Sequence, residues 1–142
     1  MQIISFKNHG ISPELKNKSA LKAFMSKVFK NEGFDFERIL YIFTTDAALL
    51  ELNRQFLNHD NLTDILTFTM SGAKSPISSE IYISIERVRE NAIIFNATFS
   101  KELQRVMIHG ALHLCGYSDH TLDLKTEMRK REDYYLSQIH FT

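Results

Sequence analysis

Residues 109–120, His-Gly-Ala-Leu-His-Leu-Cys-Gly-Tyr-Ser-Asp-His, constrain this chain more than any other stretch. They hold three of its six histidines. His109 and His113 stand four apart, so on a helix both imidazoles project from one face, one turn above the other. That spacing lets two rings reach a single metal ion. Gly116 follows three residues later, where a glycine suits the left-handed conformation that ends a helix and turns the chain. The turned chain brings His120 back towards the first two rings. Three neutral nitrogen donors with one position left over describe a catalytic zinc-type site rather than a closed structural one. The bland alternative is a pair of histidines on a surface or in a core. The helix-stopping glycine and the third histidine on the return weigh against it.

The same residues exclude one obvious chemistry. Zinc peptidases built on His-Glu-x-x-His use the glutamate after the first histidine as general base. This chain has Gly110 there, and glycine cannot take a proton. The third histidine also comes one residue later than in the metzincin pattern. The metal scaffold is zincin-like, but the peptidase base is missing.

The run HGALHLCGYSDH resembles the core of the YbeY family, bacterial metal-dependent endoribonucleases of ribosomal RNA maturation. Ser118 stands as one extra residue in that core, which leaves the third ligand open between Asp119 and His120, with His120 favoured because nitrogen completes a set that suits zinc or nickel. Leu52-Asn53, then Asp60, then Thr63-Asp64-Ile65-Leu66-Thr67-Phe68 form a second matching segment. The resemblance covers nearly the whole chain. It implies one divalent ion, zinc first and nickel as the alternative, held by His109, His113 and His120, with a metal-activated water cutting RNA. It also implies ribosomal RNA as substrate, with ribosomal subunit proteins as further partners. One departure stands out. The family usually has an arginine after the aromatic of its Leu-Asn-x-x-Tyr/Phe segment, and here Phe56 is followed by Leu57, which cannot bind phosphate. Two other readings stay open: a ribosome-assembly factor with a mainly structural metal, and a zincin-like peptidase or other hydrolase.

A chain of 142 residues is long enough for one domain with a real core, expected over 1–142. No apolar run approaches the roughly 20 residues that span a bilayer, and no signal peptide is visible at the start. Cys115, the single cysteine, excludes an internal disulfide and suits a reducing cytoplasm. Formal net charge is zero, which is not the balance of a typical nucleic-acid binder. Its distribution is uneven, however. Six lysines against Glu14 make residues 1–30 basic, and seven acids against two arginines make 31–64 acidic. A basic helix of that kind suits a phosphate backbone, and equally a solvated lysine face.

Hydrophobic periodicity gives the elements. Ile3–Phe6 reads as a short strand. Ser12-Pro13 opens a helix, with serine as cap and proline in the first turn. Its apolar stripe is Leu21, Phe24, Met25, Val28 and Phe29. Arg38–Thr44 is a β-prone run that reads as a central strand buried on both faces. Thr45 or Asp46 caps a second helix carrying Leu49, Leu52 and Phe56. His59-Asp60-Asn61 is a polar turn, Asp64–Thr69 a strand, and 71–76 a loop. Glu80–Ile85 alternates as a half-buried strand, and a helix follows from Glu86 to Asn96. Ser100 caps the metal helix. A last helix runs from Leu122 to Gln138, with Leu124, Met128 and Tyr135 inward. The fold class expected is α/β (α+β), a small mixed sheet packed with helices.

Among other candidates, Asp119 reads as a ligand, an orienting carboxylate or a turn residue. Cys115 reads as a buried thiol, and His9, His59 and His140 as surface residues. Asp64 reads as a base or, more ordinarily, a turn or cap residue; Asp60 shares that ordinary reading.

Overall fold

The computed structural model describes residues 2–58, 63–72 and 75–141. In chain order the elements are β1 (Ile3–Asn8), α1 (Lys18–Asn31), β2 (Phe36–Thr44), α2 (Asp46–Leu57), β3 (Ile65–Thr69), β4 (Ile77–Ser84), α3 (Ile85–Ile94), α4 (Phe99–Leu114) and α5 (Leu122–Leu136). The sheet order is β1-β2-β4-β3. β1 and β4 both pair with β2 in parallel, and β3 closes one edge antiparallel to β4. This is the mixed sheet with helices that the alternating pattern predicts.

β2 is the central strand because its residues tolerate burial on both faces. Ile39, Tyr41, Ile42 and Phe43 are all buried. The phenol this places in the interior is satisfied: Tyr41 donates its hydroxyl to the carbonyl of Met107 at 3.0 Å. That bond also ties the central strand to the middle of α4. Leu103, Met107, Ala111 and Leu112 of α4 join Ile81 and Ile83 of β4 in the core, and Met25, Val28 and Phe29 of α1 complete it. Each such fully buried side chain contributes about 1.5–3 kcal/mol. Truncating Met107, which is fully buried, would cost about 2–5 kcal/mol.

α4 has well-formed ends. Thr98 accepts from the amide of Lys101 at 3.2 Å, so the cap is Thr98 rather than Ser100, two residues earlier than the sequence suggests. At the other end Gly116 has φ +100°. The amide of Gly116 bonds to the carbonyl of His113, and that of Tyr117 to the carbonyl of Leu112, both at 3.1 Å. This is the Schellman arrangement that a glycine past the helix end permits.

Three local expectations are corrected. α1 begins at Lys18, not at Ser12-Pro13. Ser12 instead accepts from the amide of Glu14 at 3.2 Å, and Glu14 and Asn17 are left-handed at φ 53° and 54°. A hydroxyl bonding its own backbone two residues on makes a turn that competes with a helix. β4 starts at Ile77 and leaves Ile85 to α3, whose cap is Ser84. Leu124 is 41% exposed, so α5 turns inward only at Met128, Glu132 and Tyr135. The expected turn at His59-Asp60-Asn61, and part of the loop at 71–76, lie outside the described residues.

Candidate functional site

A cleft of about 890 Å³ opens between β3, α3, α4 and α5. His109 and His113 enter it from one face of α4, as their spacing requires. Asp119 enters from the turn after Gly116, and Asp64 from the start of β3. His120 is exposed and is not part of the cleft wall. Ser118 Oγ accepts from the amide of His120 at 3.2 Å, and this tight turn presents Asp119 to the cleft. Oδ2 of Asp119 lies 3.6 Å from Nε2 of His109. Among the described residues no three His, Cys, Asp or Glu side chains form a ligand cluster in this geometry. His109, His113 and Asp119 all line the cleft, and His120 does not.

The other nitrogen of His109 is taken. Its Nδ1 lies 2.7 Å from Oε2 of Glu132 on α5. A carboxylate accepts only, so Nδ1 carries the proton and Nε2 faces the cleft. Glu132 is 4% exposed. Its other oxygen is 3.1 Å from Arg105, which reaches on to Asp133 at 2.8 Å. The carboxylate is therefore fixed from both sides. Burial lowers the affinity of His109 for a proton, but the bond and charge of Glu132, with Asp64 and Asp119 behind it, raise it above the ordinary histidine value.

Burial also pushes Asp64 upward, against the opposing pull of His109, and Glu102 upward, against Arg105 and Arg129. Four carboxylates (Asp64, Glu102, Asp119 and Glu132) and three cations (Arg105, Lys125 and Arg129) line the cleft. A divalent ion would turn this small negative excess into a small positive one, which suits an anionic substrate.

A protein-family model described as Endoribonuclease YbeY matches residues 4–140. The chain belongs to the YbeY family. Two curated relatives carry the same description. One, from Flavobacterium psychrophilum, is 46% identical over 138 residues, covering 97% of each chain. One from Cytophaga hutchinsonii is 42% identical over 124 residues, covering 87% of each. The solution structure of TM1509 from Thermotoga maritima is similar at a TM-score of 0.68 and 34% identity, covering 96% of this chain and 88% of that one.

The position where YbeY proteins usually carry an arginine is Leu57 here, 43% exposed on the cleft rim. The cations of this cleft come instead from α4 and α5. The lysines of α1 take no part in its wall, and Lys22 lies over the ring of Phe6, 5.2 Å from its centroid. Cys115 is buried and its thiol is pushed up to about 12 by that burial, which makes it a core residue. His9 and His140 are exposed and outside the cleft, and His59 lies outside the described residues.

Glu132 is the site residue that sequence reasoning missed. It sits in the run Arg131-Glu132-Asp133, which reads as a solvated charged face. The available signal was its place on α5, four residues after Met128, which shares its buried face.

Proposed function

We propose that this chain is a metal-dependent endoribonuclease acting on ribosomal RNA during its maturation. The observation that carries the reading is the bond from His109 Nδ1 to the buried Glu132. A histidine whose distal nitrogen is committed to a carboxylate has its tautomer and ring plane fixed and its other lone pair free for a metal. His109 and His113 are the first two ligands of this reading. The sequence favours His120 as the third, whereas the cleft geometry supports Asp119 for that place. Imidazole and carboxylate donors suit zinc, with nickel as the alternative.

A divalent ion there supplies a Lewis acid for a phosphoryl oxygen and lowers the pKa of water. The chain's own residues do the rest. Glu132 holds His109 in its working tautomer, and Arg105 holds Glu132. Asp64 lines the same cleft, is pushed upward by burial, and in this reading would exchange a proton with the reacting water or ribose hydroxyl. Gly110 leaves the peptidase base absent. Such an enzyme works in the cytoplasm, beside ribosomal subunit proteins, as one domain. No helix among the described residues is long and apolar enough to cross a membrane.

The test pairs metal analysis with RNA cleavage. Protein purified without added metal should carry about one divalent ion per chain, and wild type should cut structured RNA where His113→Ala does not. Equal cleavage by the two would assign the activity to a contaminant and leave a binding role in ribosome assembly. Peptide turnover that depends on His113 would favour the peptidase reading.

A further inference from the structure

The mouth of the cleft carries features that the metal chemistry does not use. Phe95 ends α3 and lines the cleft, yet it is 54% exposed. Its neighbours Ile93 and Ile94 are also exposed, and scattered apolar side chains on a surface need no explanation. Phe95 differs from them in facing the cleft and in carrying a cation over its ring. The guanidinium of Arg129 lies 5.7 Å from the ring centroid. Arg129 is half exposed, and its ion pair with Glu132 is long at 3.7 Å. Lys125, one turn earlier on α5, lines the same mouth and makes no ion pair among the described residues.

We propose that Phe95, Arg129 and Lys125 form a subsite for one unpaired nucleotide of the RNA, with its base stacked on Phe95 and its phosphate held by the two cations. The inference rests on the endoribonuclease reading and assigns to three named side chains the contacts to one nucleotide of its substrate. An exposed aromatic face offers a base a stacking surface, and every base has such a face, so the subsite reads strandedness rather than sequence. A paired base is already stacked within its duplex and cannot use it. The two cations supply positive charge at a rim where Leu57 supplies none.

The chain contains no tryptophan, so Phe95→Trp places a single indole reporter at the subsite. Metal-loaded Phe95→Trp is titrated with a single-stranded 2′-O-methyl decanucleotide and with the same backbone lacking bases. The base-bearing oligomer should quench the indole, and the abasic one should not. Phe95→Ala should bind the base-bearing oligomer about 5- to 100-fold more weakly than wild type and the abasic one equally. Phe95→Leu, which keeps apolar bulk without an aromatic face, should resemble Phe95→Ala. Unchanged affinity in Phe95→Ala, or an indole indifferent to saturating oligomer, overturns the subsite. If wild type still cuts RNA with metal in that case, the subsite alone falls. A protein that neither binds nor cuts RNA overturns the nuclease reading with it.

Discussion

The hydroxyl of Tyr117 donates to Oε1 of Glu32 at 2.8 Å, fastening the turn that carries Asp119 to the end of α1. The other oxygen of Glu32 accepts from Arg131 Nε at 2.9 Å and from the hydroxyl of Tyr135, both on α5. One carboxylate with a 7% exposed side chain thus joins three parts of the fold. Glu32→Gln should destabilise the protein by about 2 kcal/mol, the scale of a hydrogen bond to a charged group. The effect should depend on pH. Burial alone would raise the Glu32 carboxyl, but the bonds from Tyr135, Arg131 and Tyr117 hold it below the ordinary value of 4.5. A depressed folded value means that the stabilisation is complete above the unfolded pKa and is lost as pH falls through the folded one. Denaturant melts of wild type and Glu32→Gln should therefore differ near neutrality and converge below about pH 4. A gap that stays constant into acid would refute the assignment.

Glu132→Gln removes the charge behind His109 and keeps the side-chain shape. Loss of such an outer carboxylate lowers metal affinity by about 10- to 100-fold. Zinc titration followed by calorimetry should show that drop. Affinity equal to wild type would mean that Glu132 serves packing alone.

Asp119 and His120 make opposite predictions for the third ligand. Asp119→Ala should release the ion, because its carboxylate lies 3.6 Å from His109 Nε2. His120→Ala should keep it, because that side chain stands outside the cleft wall. Elemental analysis of both variants decides between them. The reverse pattern would restore the set of three histidines.

A Cβ built on Gly110 would lie 2.8 Å from Cδ1 of Ile65 and 3.2 Å from Cγ2 of Ile81. Crowding a packed core costs about 1–3 kcal/mol, whereas alanine in place of glycine in a helix returns about 1 kcal/mol. Gly110→Ala should therefore be destabilised by about 1 kcal/mol in thermal melts. In an Ile65→Val background, which lacks the nearest crowding atom, the same change should be neutral or stabilising. Equal costs in both backgrounds would rule out this contact as the cause.

Features set by spacing along one element were legible in the sequence. The shared face of His109 and His113, the glycine that ends their helix and the doubly buried β2 all follow from period and turn chemistry. What depends on contacts distant along the chain was not legible. Glu132 lies 23 positions from His109 and looks like part of a charged surface until α5 is laid beside α4. Glu32 is likewise a helix-end residue whose partners lie 85 to 103 positions away. The false helix start at Ser12-Pro13 is a different failure. There a real local signal lost to a turn that the same serine supports. At the turn after Gly116, spacing alone left Asp119 and His120 both open as the third ligand, and it is Asp119 that lines the cleft.

The close seat of α4 on the sheet at Gly110 has an evolutionary reading. A zinc peptidase needs a glutamate at that place, and a one-step substitution here would drive its carboxylate into Ile65 and Ile81 before it could serve as a base. Room for that side chain would first have to come from trimming Ile65 and Ile81, whose side chains meet the helix at this point. A glutamate placed there by a single substitution would therefore meet the sheet before it could meet a substrate.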